Sequence, residues 1–166
     1  RLRAGRVVDQ ALRVQLRGAL PPWRFARLVW RFLWEPMRRD TTNGVVTLGG
    51  DNGLRGYVSQ AFAVRGGSRF RGNVELRSRP FVRGSWHFGM VAFYDFGTVY
   101  DALEDARLHH SVGLGVRVLS AQINRYPFRG DGGYALGGDG VVGSYGGLQM
   151  VPLTEHEDTL GLQEER

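Results

Sequence analysis

The segment His87-Phe88-Gly89-Met90-Val91-Ala92-Phe93-Tyr94-Asp95-Phe96-Gly97 decides the fold class of this 166-residue chain. Every even-numbered residue in it is apolar or aromatic, whereas the odd-numbered positions include a histidine, an aspartate and two glycines. A period of two residues predicts a β-strand whose two faces differ in chemistry. The run is about as long as the roughly nine to eleven residues that a tilted transmembrane strand requires.

The same alternation recurs along the chain, with glycine-rich or polar breaks between the runs. The further runs cover residues 11–17, 73–77, 111–118, 125–134 and 141–153. Together with the first run they predict an all-β fold, an antiparallel meander of about six strands. Short connections are predicted at 82–85 and 120–123, and long ones at 19–69 and 99–108. Such an alternation is typical of the periplasmic turns and external loops of a transmembrane barrel.

Periodicity alone leaves two architectures open, because the polar face would meet water in a soluble β-sandwich and the lumen in a barrel. Aromatic residues at the strand ends favour the barrel, where they would form girdles at the membrane interfaces. These residues are Trp86, Phe88, Phe96, Tyr100, Tyr126, Phe128 and Tyr134. No apolar stretch approaches the roughly 18 residues of a transmembrane helix, so no membrane-spanning helix is predicted.

The segment from Trp23 to Trp34 departs from the period of two. Arg24, Arg27 and Arg31 recur at helical spacing, and aromatic and aliphatic residues cover most of the remaining circumference. This pattern predicts a short helix inside the long 19–69 connection. The helix could lie at a membrane surface with its arginines on lipid phosphates, or it could pack on its own protein.

All 22 basic residues are arginine, and the net charge is +6. Guanidinium groups pair well with phosphate, on nucleic acid or on lipid headgroups. The competing interpretation is an arginine-biased composition combined with arginines that line a lumen. The basic residues are spread along the whole chain, which favours the second interpretation and predicts no nucleic-acid partner.

The chain shows no recognisable catalytic machinery. The absence of cysteine excludes disulfides, iron–sulfur clusters and thiolate zinc sites. Two of the four histidines, His109 and His110, are neighbours on a predicted strand and would point to opposite faces, so they cannot chelate one metal ion there. Neither a Ser-His-Asp arrangement nor a phosphate-binding loop is present. We therefore expect a protein that is not an enzyme and that has no metal site and no cofactor.

A glycine-rich motif, Leu48-Gly49-Gly50-Asp51-Asn52-Gly53-Leu54-Arg55-Gly56-Tyr57, precedes the second strand. Its glycines permit tight turns and close backbone approach, so the stretch is suited to placing Arg55 at a defined position. A charge presented in this way needs a partner.

Leu54, Arg55, Gly56 and Tyr57 resemble the signature tip of the long external loop in outer-membrane assembly barrels of the BamA/TamA type, the bacterial surface antigen family. The resemblance continues through Glu75-Leu76-Arg77, Ala92 to Asp101 and Ser111 to Arg117, and covers residues 45–150 in the right order. A chain of matched segments is far more specific than one tetrapeptide.

The resemblance implies that residues 1–153 are the C-terminal part of a roughly 16-stranded transmembrane β-barrel. The 19–69 external loop would fold back into the lumen, where Glu75 and Asp95 on the inner wall would hold Arg55. Residues 154–166 would form a polar C-terminal tail. With only about six strands, the chain is expected to be a fragment, a split protein or a remnant.

The family also implies a function and a location. The expected activity is insertion, assembly or translocation of polypeptides at the bacterial outer membrane. The expected partners are outer-membrane lipids, client polypeptides, N-terminal barrel strands with POTRA modules, and accessory lipoproteins. The alternative is a soluble or peripheral β-sandwich module that binds anionic lipid or polysaccharide through an arginine-rich face.

Overall fold

The computed structural model describes residues 2–3, 6–7, 9–38, 44–50, 52–120, 122, 128–137 and 142–148. Its strands are β1 (Leu2–Arg3), β2 (Arg6–Val7), β3 (Gln10–Ala11), β4 (Val14–Ala19), β5 (Ala26–Glu35), β6 (Met37–Arg38), β7 (Val45–Leu48), β8 (Phe62–Arg65), β9 (Ser68–Ser78), β10 (Phe81–Arg83), β11 (Trp86–Tyr100), β12 (His109–Ser120), β13 (Phe128–Leu136) and β14 (Val142–Leu148). A 3₁₀ turn covers Leu103–Asp105. Within the described residues, no helix has the length and apolar character needed to cross a membrane.

The main sheet is antiparallel and follows the order β14-β13-β12-β11-β9-β5-β4. One edge of β11 pairs with two strands in succession. Its first residues pair with β10, and the residues from Val91 onward pair with β9. Arg79 and Pro80 separate β9 from β10, because proline cannot donate a hydrogen bond to the ladder. If β9 and β10 are counted as one interrupted strand, the sheet has seven strands. The predicted all-β antiparallel meander is confirmed, with one strand more than the six expected.

The additional strand is β5, and it corrects the prediction of a helix between Trp23 and Trp34. The ten residues Ala26–Glu35 pair with β4 on one side and with β9 on the other. A spacing of four residues, as between Arg27 and Arg31, returns to the same face of a strand as well as of a helix. The long connection therefore begins after Glu35 rather than at residue 19.

The outward face of the sheet is apolar and exposed, which is the reverse of a water-soluble sheet. Along β11 and β12 the exposed residues are Phe88, Met90, Tyr94, Val112, Leu114 and Val116. Among the described residues, no second sheet of comparable size packs on it as a β-sandwich would require. A continuous exposed apolar face is what lipid-facing strands require.

Aromatic residues on this face form two bands. Trp86 and Phe88 lie at one end of β11, while Tyr94 and Phe96 lie towards the other, with Met90 and Ala92 between them. Trp86 and Phe96 are about 33 Å apart along the strand. After the usual tilt this distance matches an apolar band of roughly 25 Å. All described residues of the predicted aromatic set lie on this face; Tyr126 lies outside the described residues.

Replacing Leu114 by arginine tests the assignment of the outward face. Leu114 is 64% exposed at the middle of β12. In water such a substitution would be nearly neutral, but on a lipid face it should lower the unfolding free energy by about 2–4 kcal/mol. Urea unfolding in lipid vesicles measures the change. Leu103→Arg, in the 3₁₀ turn outside the strands, is the matched control and should shift the midpoint little; equal effects of the two variants would contradict a lipid-facing sheet.

The dry core lies on the inner face of the sheet, between the strands and the in-folded long connection. The buried hydrophobic residues are Leu33, Leu48, Leu54, Val91, Phe93 and Ala135. Leu48 and Leu54 come from the connection, and the other four are odd-numbered residues of the sheet. Strands β7 and β8 form a hairpin that contacts β9 and β11. The loop thus supplies the apolar surface that a second sheet would supply in a sandwich.

Candidate functional site

A succession of tight turns places the tip of the connection against the sheet. The Asn52 amide donates to the Gly49 carbonyl at 3.1 Å, and the Gly50 amide donates to the Leu54 carbonyl at 2.9 Å. Gly49 and Gly53 have φ of 127° and 121°, which side-chain-bearing residues rarely adopt. Leu54 is fully buried. The turns bring the next residue, Arg55, against the inner face of the sheet.

Arg55 is bound chiefly by Asp95 of β11. The guanidinium donates from Nε to Asp95 Oδ2 at 2.7 Å and from Nη2 to Asp95 Oδ1 at 2.7 Å. The Arg55 backbone amide adds a third hydrogen bond to Oδ2 at 3.2 Å. Asp95 is 0% exposed. A bidentate pair of this kind fixes the direction of the arginine as well as its position.

Two further carboxylates complete the surroundings of Arg55. Its Nη1 lies 2.7 Å from Glu75 Oε1 on β9 and 3.3 Å from Asp131 Oδ2 on β13. Both carboxylates also pair with arginines nearer the solvent. Arg77 binds Glu75 at 2.7 Å, while Arg117 and Arg129 bind Asp131 at 2.5 Å and 2.7 Å.

The Phe93 ring covers one side of the guanidinium. The Arg55 Cζ atom lies 3.6 Å from the centroid of this ring, a cation–π contact. Burial alone would lower the pKa of Arg55, but the hydrogen bonds to Asp95 and its charge raise the pKa above the ordinary value. The guanidinium therefore remains charged inside the sheet.

Strand β9 binds the loop at several points along its inner face. Arg69 donates from Nη1 to the Thr47 carbonyl at 3.0 Å, and Asn73 donates from Nδ2 to the Gly53 carbonyl at 3.1 Å. Asn73 also donates to Asp95 Oδ1 at 2.9 Å. With Glu75 on Arg55, three residues on the same face of this strand hold successive parts of the loop.

Glycines in β12 and β13 make room for the loop and its partners. A Cβ atom on Gly133 would lie 2.6 Å from the Arg55 carbonyl carbon and 2.7 Å from the Gly56 nitrogen. A Cβ atom on Gly56 would lie 2.6 Å from the Tyr134 carbonyl carbon. Gly113 and Gly115 leave space for the Phe93 ring and the Asp131 carboxylate. The loop backbone therefore rests directly on the backbone of β13.

The model of the Omp85 superfamily domain matches residues 46–137, which is more than half of the chain. The chain belongs to the Omp85 superfamily. Comparison with curated proteins and with solved structures found no match. The matched region of this Omp85 chain runs from β7 to the end of β13 and contains Arg55 and all three of its carboxylate partners. The superfamily comprises outer-membrane proteins of polypeptide insertion and translocation.

Tyr57, the last residue of the Omp85 loop tip, anchors the return of the loop. Its hydroxyl donates to the backbone carbonyls of His110 and Leu136, at 3.3 Å and 3.4 Å. Its ring packs edge-on against Phe62 of β8, with centroids 5.1 Å apart. Phe62 in turn stacks on His109 at 3.7 Å. Arg55 and Tyr57 thus tie the same short turn to β11, β12 and β13.

The structure brings together Arg55, Glu75 and Asp95, the three charged residues that the resemblance selected. It places the other candidates elsewhere. Arg24 lies in the β4–β5 turn, and Arg27 and Arg31 lie on the inner face of β5. Contacts of these three arginines with lipid phosphate stay a prediction, and the register gives Arg27 and Arg31 the face opposite the exposed apolar residues.

Sequence reasoning missed Asp131, Asn73 and Phe93. The predicted strand 125–134 contains Asp131, but nothing in the sequence showed that this strand lies near Arg55. Register supplies that link, because Gly113 pairs with Phe93 and with Gly133. His109 and His110 lie on opposite faces of the sheet, as predicted. His109 stacks on Phe62, and His110 Nδ1 lies 2.6 Å from the Tyr94 hydroxyl.

Proposed function

We propose that this chain is the C-terminal part of a BamA/TamA-type barrel that inserts or translocates polypeptides at the bacterial outer membrane. The observation that carries the proposal is the Arg55 lock, in which one loop residue contacts carboxylates on β9, β11 and β13. The proposed partners are client polypeptides and membrane lipids, together with POTRA modules and accessory lipoproteins.

The lock supports this function through the stiffness it gives to one part of the wall. Arg55 joins three strands that span much of the described sheet, and Asp95 is tied to both the side chain and the backbone of the loop tip. Insertion of a client requires a seam with unpaired strand edges, since every backbone group in lipid needs a partner. A wall stiffened by an internal lock confines opening to a seam elsewhere in the barrel.

Depletion of the gene in its own bacterium tests the function. We expect folded outer-membrane proteins, recognised by heat-modifiable migration, to decrease when the protein is depleted. The wild-type gene and an Arg65→Ala control should restore them, whereas Arg55→Ala should restore them poorly. Arg65 lies on β8 of the same connection and is exposed. Unchanged levels of outer-membrane and secreted proteins after depletion would contradict the proposal.

The Arg55→Ala substitution should also loosen the loop while leaving the strands intact. Removal of the guanidinium deletes the contacts that hold the tip, so local opening becomes easier. In limited digestion with proteinase K, we expect cleavage within residues 44–66 to accelerate by at least about tenfold. The strands should remain protected, and Arg65→Ala should behave like the wild type. Unchanged protection of the loop would show that other contacts hold it.

A further inference from the structure

Three exposed arginines on the inner face have no carboxylate partner among the described residues, and the half-buried Arg71 of β9 has none either. The three exposed ones are Arg17 on β4 and Arg27 and Arg31 on β5. We call them the arginine patch. The acidic residues of the inner face on β5, β9 and β11 are already bound, Glu35 to Arg13 and Arg69 and both Glu75 and Asp95 to Arg55.

The register concentrates positive charge at this patch. Arg17 pairs directly with Arg31, and Arg27 pairs directly with Arg77 of β9. Like charges in directly opposed positions destabilise a sheet. On a lumen-facing surface an anionic group that lies across the two pairs would relieve this repulsion.

The charge of the sequence beyond β14 is opposite to that of the patch. Residues 154–166 contain Glu155, Glu157, Asp158, Glu164 and Glu165, with Arg166 as the single arginine. This segment has a net charge of −4 in a chain whose total is +6. It is the most acidic part of the sequence.

The path of the chain allows this segment to reach the patch. Leu148 pairs with Phe128, so β14 ends at the edge of the sheet that carries the 20–25 turn next to Arg27. Five interstrand intervals, about 24 Å, separate β14 from β5. An extended chain from Leu148 to Glu155 and Asp158 spans about 23 to 33 Å. The first acidic cluster is thus at the right distance.

We propose that the acidic segment 154–166 folds into the lumen and binds the arginine patch. Glu155, Glu157 and Asp158 would pair with Arg17, Arg27 and Arg31 across the inner face.

Digestion with a protease that cleaves after glutamate tests the proposal on the full-length protein in detergent. At low ionic strength the segment should be protected relative to a free peptide of the same sequence. Arg27→Gln/Arg31→Gln, or high salt, should accelerate its cleavage by about tenfold. Arg83→Gln is the matched control, because Arg83 lies at the same edge but pairs with Trp86 on the apolar face. This variant should cleave like the wild type.

Two outcomes would overturn the proposal. One is cleavage of the wild-type segment at the rate of the free peptide. Native mass spectrometry that shows phospholipid bound to the patch in this case would identify a lipid as the occupant instead. The other is equal protection in wild type and Arg27→Gln/Arg31→Gln. Heat-modifiable migration verifies that each variant is folded.

A distance measurement gives a second, independent readout. The chain contains no cysteine, so spin labels at Ser85→Cys and Thr159→Cys report one distance only. The distance distribution should be narrow in the otherwise wild-type protein and broad after Arg27→Gln/Arg31→Gln. A distribution that is broad in both, or narrow in both, would contradict the proposal.

Discussion

Replacing Asp95 by alanine is expected to lower the unfolding free energy by about 3–5 kcal/mol. Asp95 is 0% exposed and accepts hydrogen bonds from the Arg55 side chain, the Arg55 backbone and Asn73. Its loss leaves the Arg55 guanidinium buried against Phe93 without its main partner. Urea unfolding of the protein in lipid vesicles, followed by tryptophan fluorescence, measures the change.

Asp101→Ala is the matched control for this prediction. Asp101 follows β11 by one residue and is exposed, so the same chemical change should alter stability by no more than about 0.5 kcal/mol. A double variant, Asp95→Leu/Arg55→Met, should recover part of the loss, because it removes the unpaired charge along with its partner. Asp95→Ala and Asp101→Ala with equal stability would show that the ion network does not hold the loop.

Loss of Arg55 and loss of Asp95 leave different defects in the ion network. Without Asp95, Arg55 keeps Glu75 and Asp131 as ion-pair partners. Without the Arg55 side chain, the fully buried Asp95 keeps only its hydrogen bonds from the Asn73 side-chain amide and from the backbone amide of the loop tip. Because a buried charge that loses its partner is costly, both single substitutions are expected to weaken the attachment of the loop.

The outward face of the sheet could be predicted well from sequence because lipid imposes one chemistry on it. Even-numbered residues from Trp86 to Phe96 in β11 and from Val112 to Val118 in β12 are apolar or aromatic without a break, so a period of two identifies the strands and their faces. The inner face is mixed, because part of it meets water and part of it meets the loop.

The mixed inner face explains why the sequence pattern of β5 resembles that of a helix. Its inner positions alternate charged and apolar residues, Arg27, Val29, Arg31, Leu33 and Glu35, and Leu33 is buried there. Apolar residues on both faces hide a period of two and imitate the broad apolar arc of a buried helix. Only pairing with β4 and β9 distinguishes the two.

The site was partly accessible from sequence and partly dependent on register. The resemblance pointed to Glu75 and Asp95, and both contact Arg55. Asp131 lies far along the sequence, and its nearness to Arg55 follows from the pairing of β11 with β12 and of β12 with β13. Close backbone approach at Gly133 had no sequence signal either, since glycine is common throughout this chain.

Replacing Gly133 by alanine is expected to displace the loop tip and to break its ion pairs. The added Cβ would lie 2.6 Å from the Arg55 carbonyl carbon and 2.7 Å from the Gly56 nitrogen. Both are backbone atoms, so no side-chain rotation relieves the clash and the tip must move as a unit. Overpacking alone costs about 1–3 kcal/mol. Displacement of Arg55 from Asp95 adds the cost of a disrupted buried pair, about 3 kcal/mol or more.

Gly132→Ala provides a control one residue away on the same strand. A Cβ atom at Gly132 would meet nothing within 4 Å, because this residue lies on the outward face. Its substitution should be neutral or slightly stabilising, since alanine restricts the unfolded chain more than glycine does. Urea unfolding and proteinase K cleavage of residues 44–66 should therefore change in Gly133→Ala and not in Gly132→Ala. If both variants kept the wild-type midpoint and loop protection, direct packing of the loop on β13 would be contradicted, because a rigid backbone contact cannot accept an extra carbon atom at that distance.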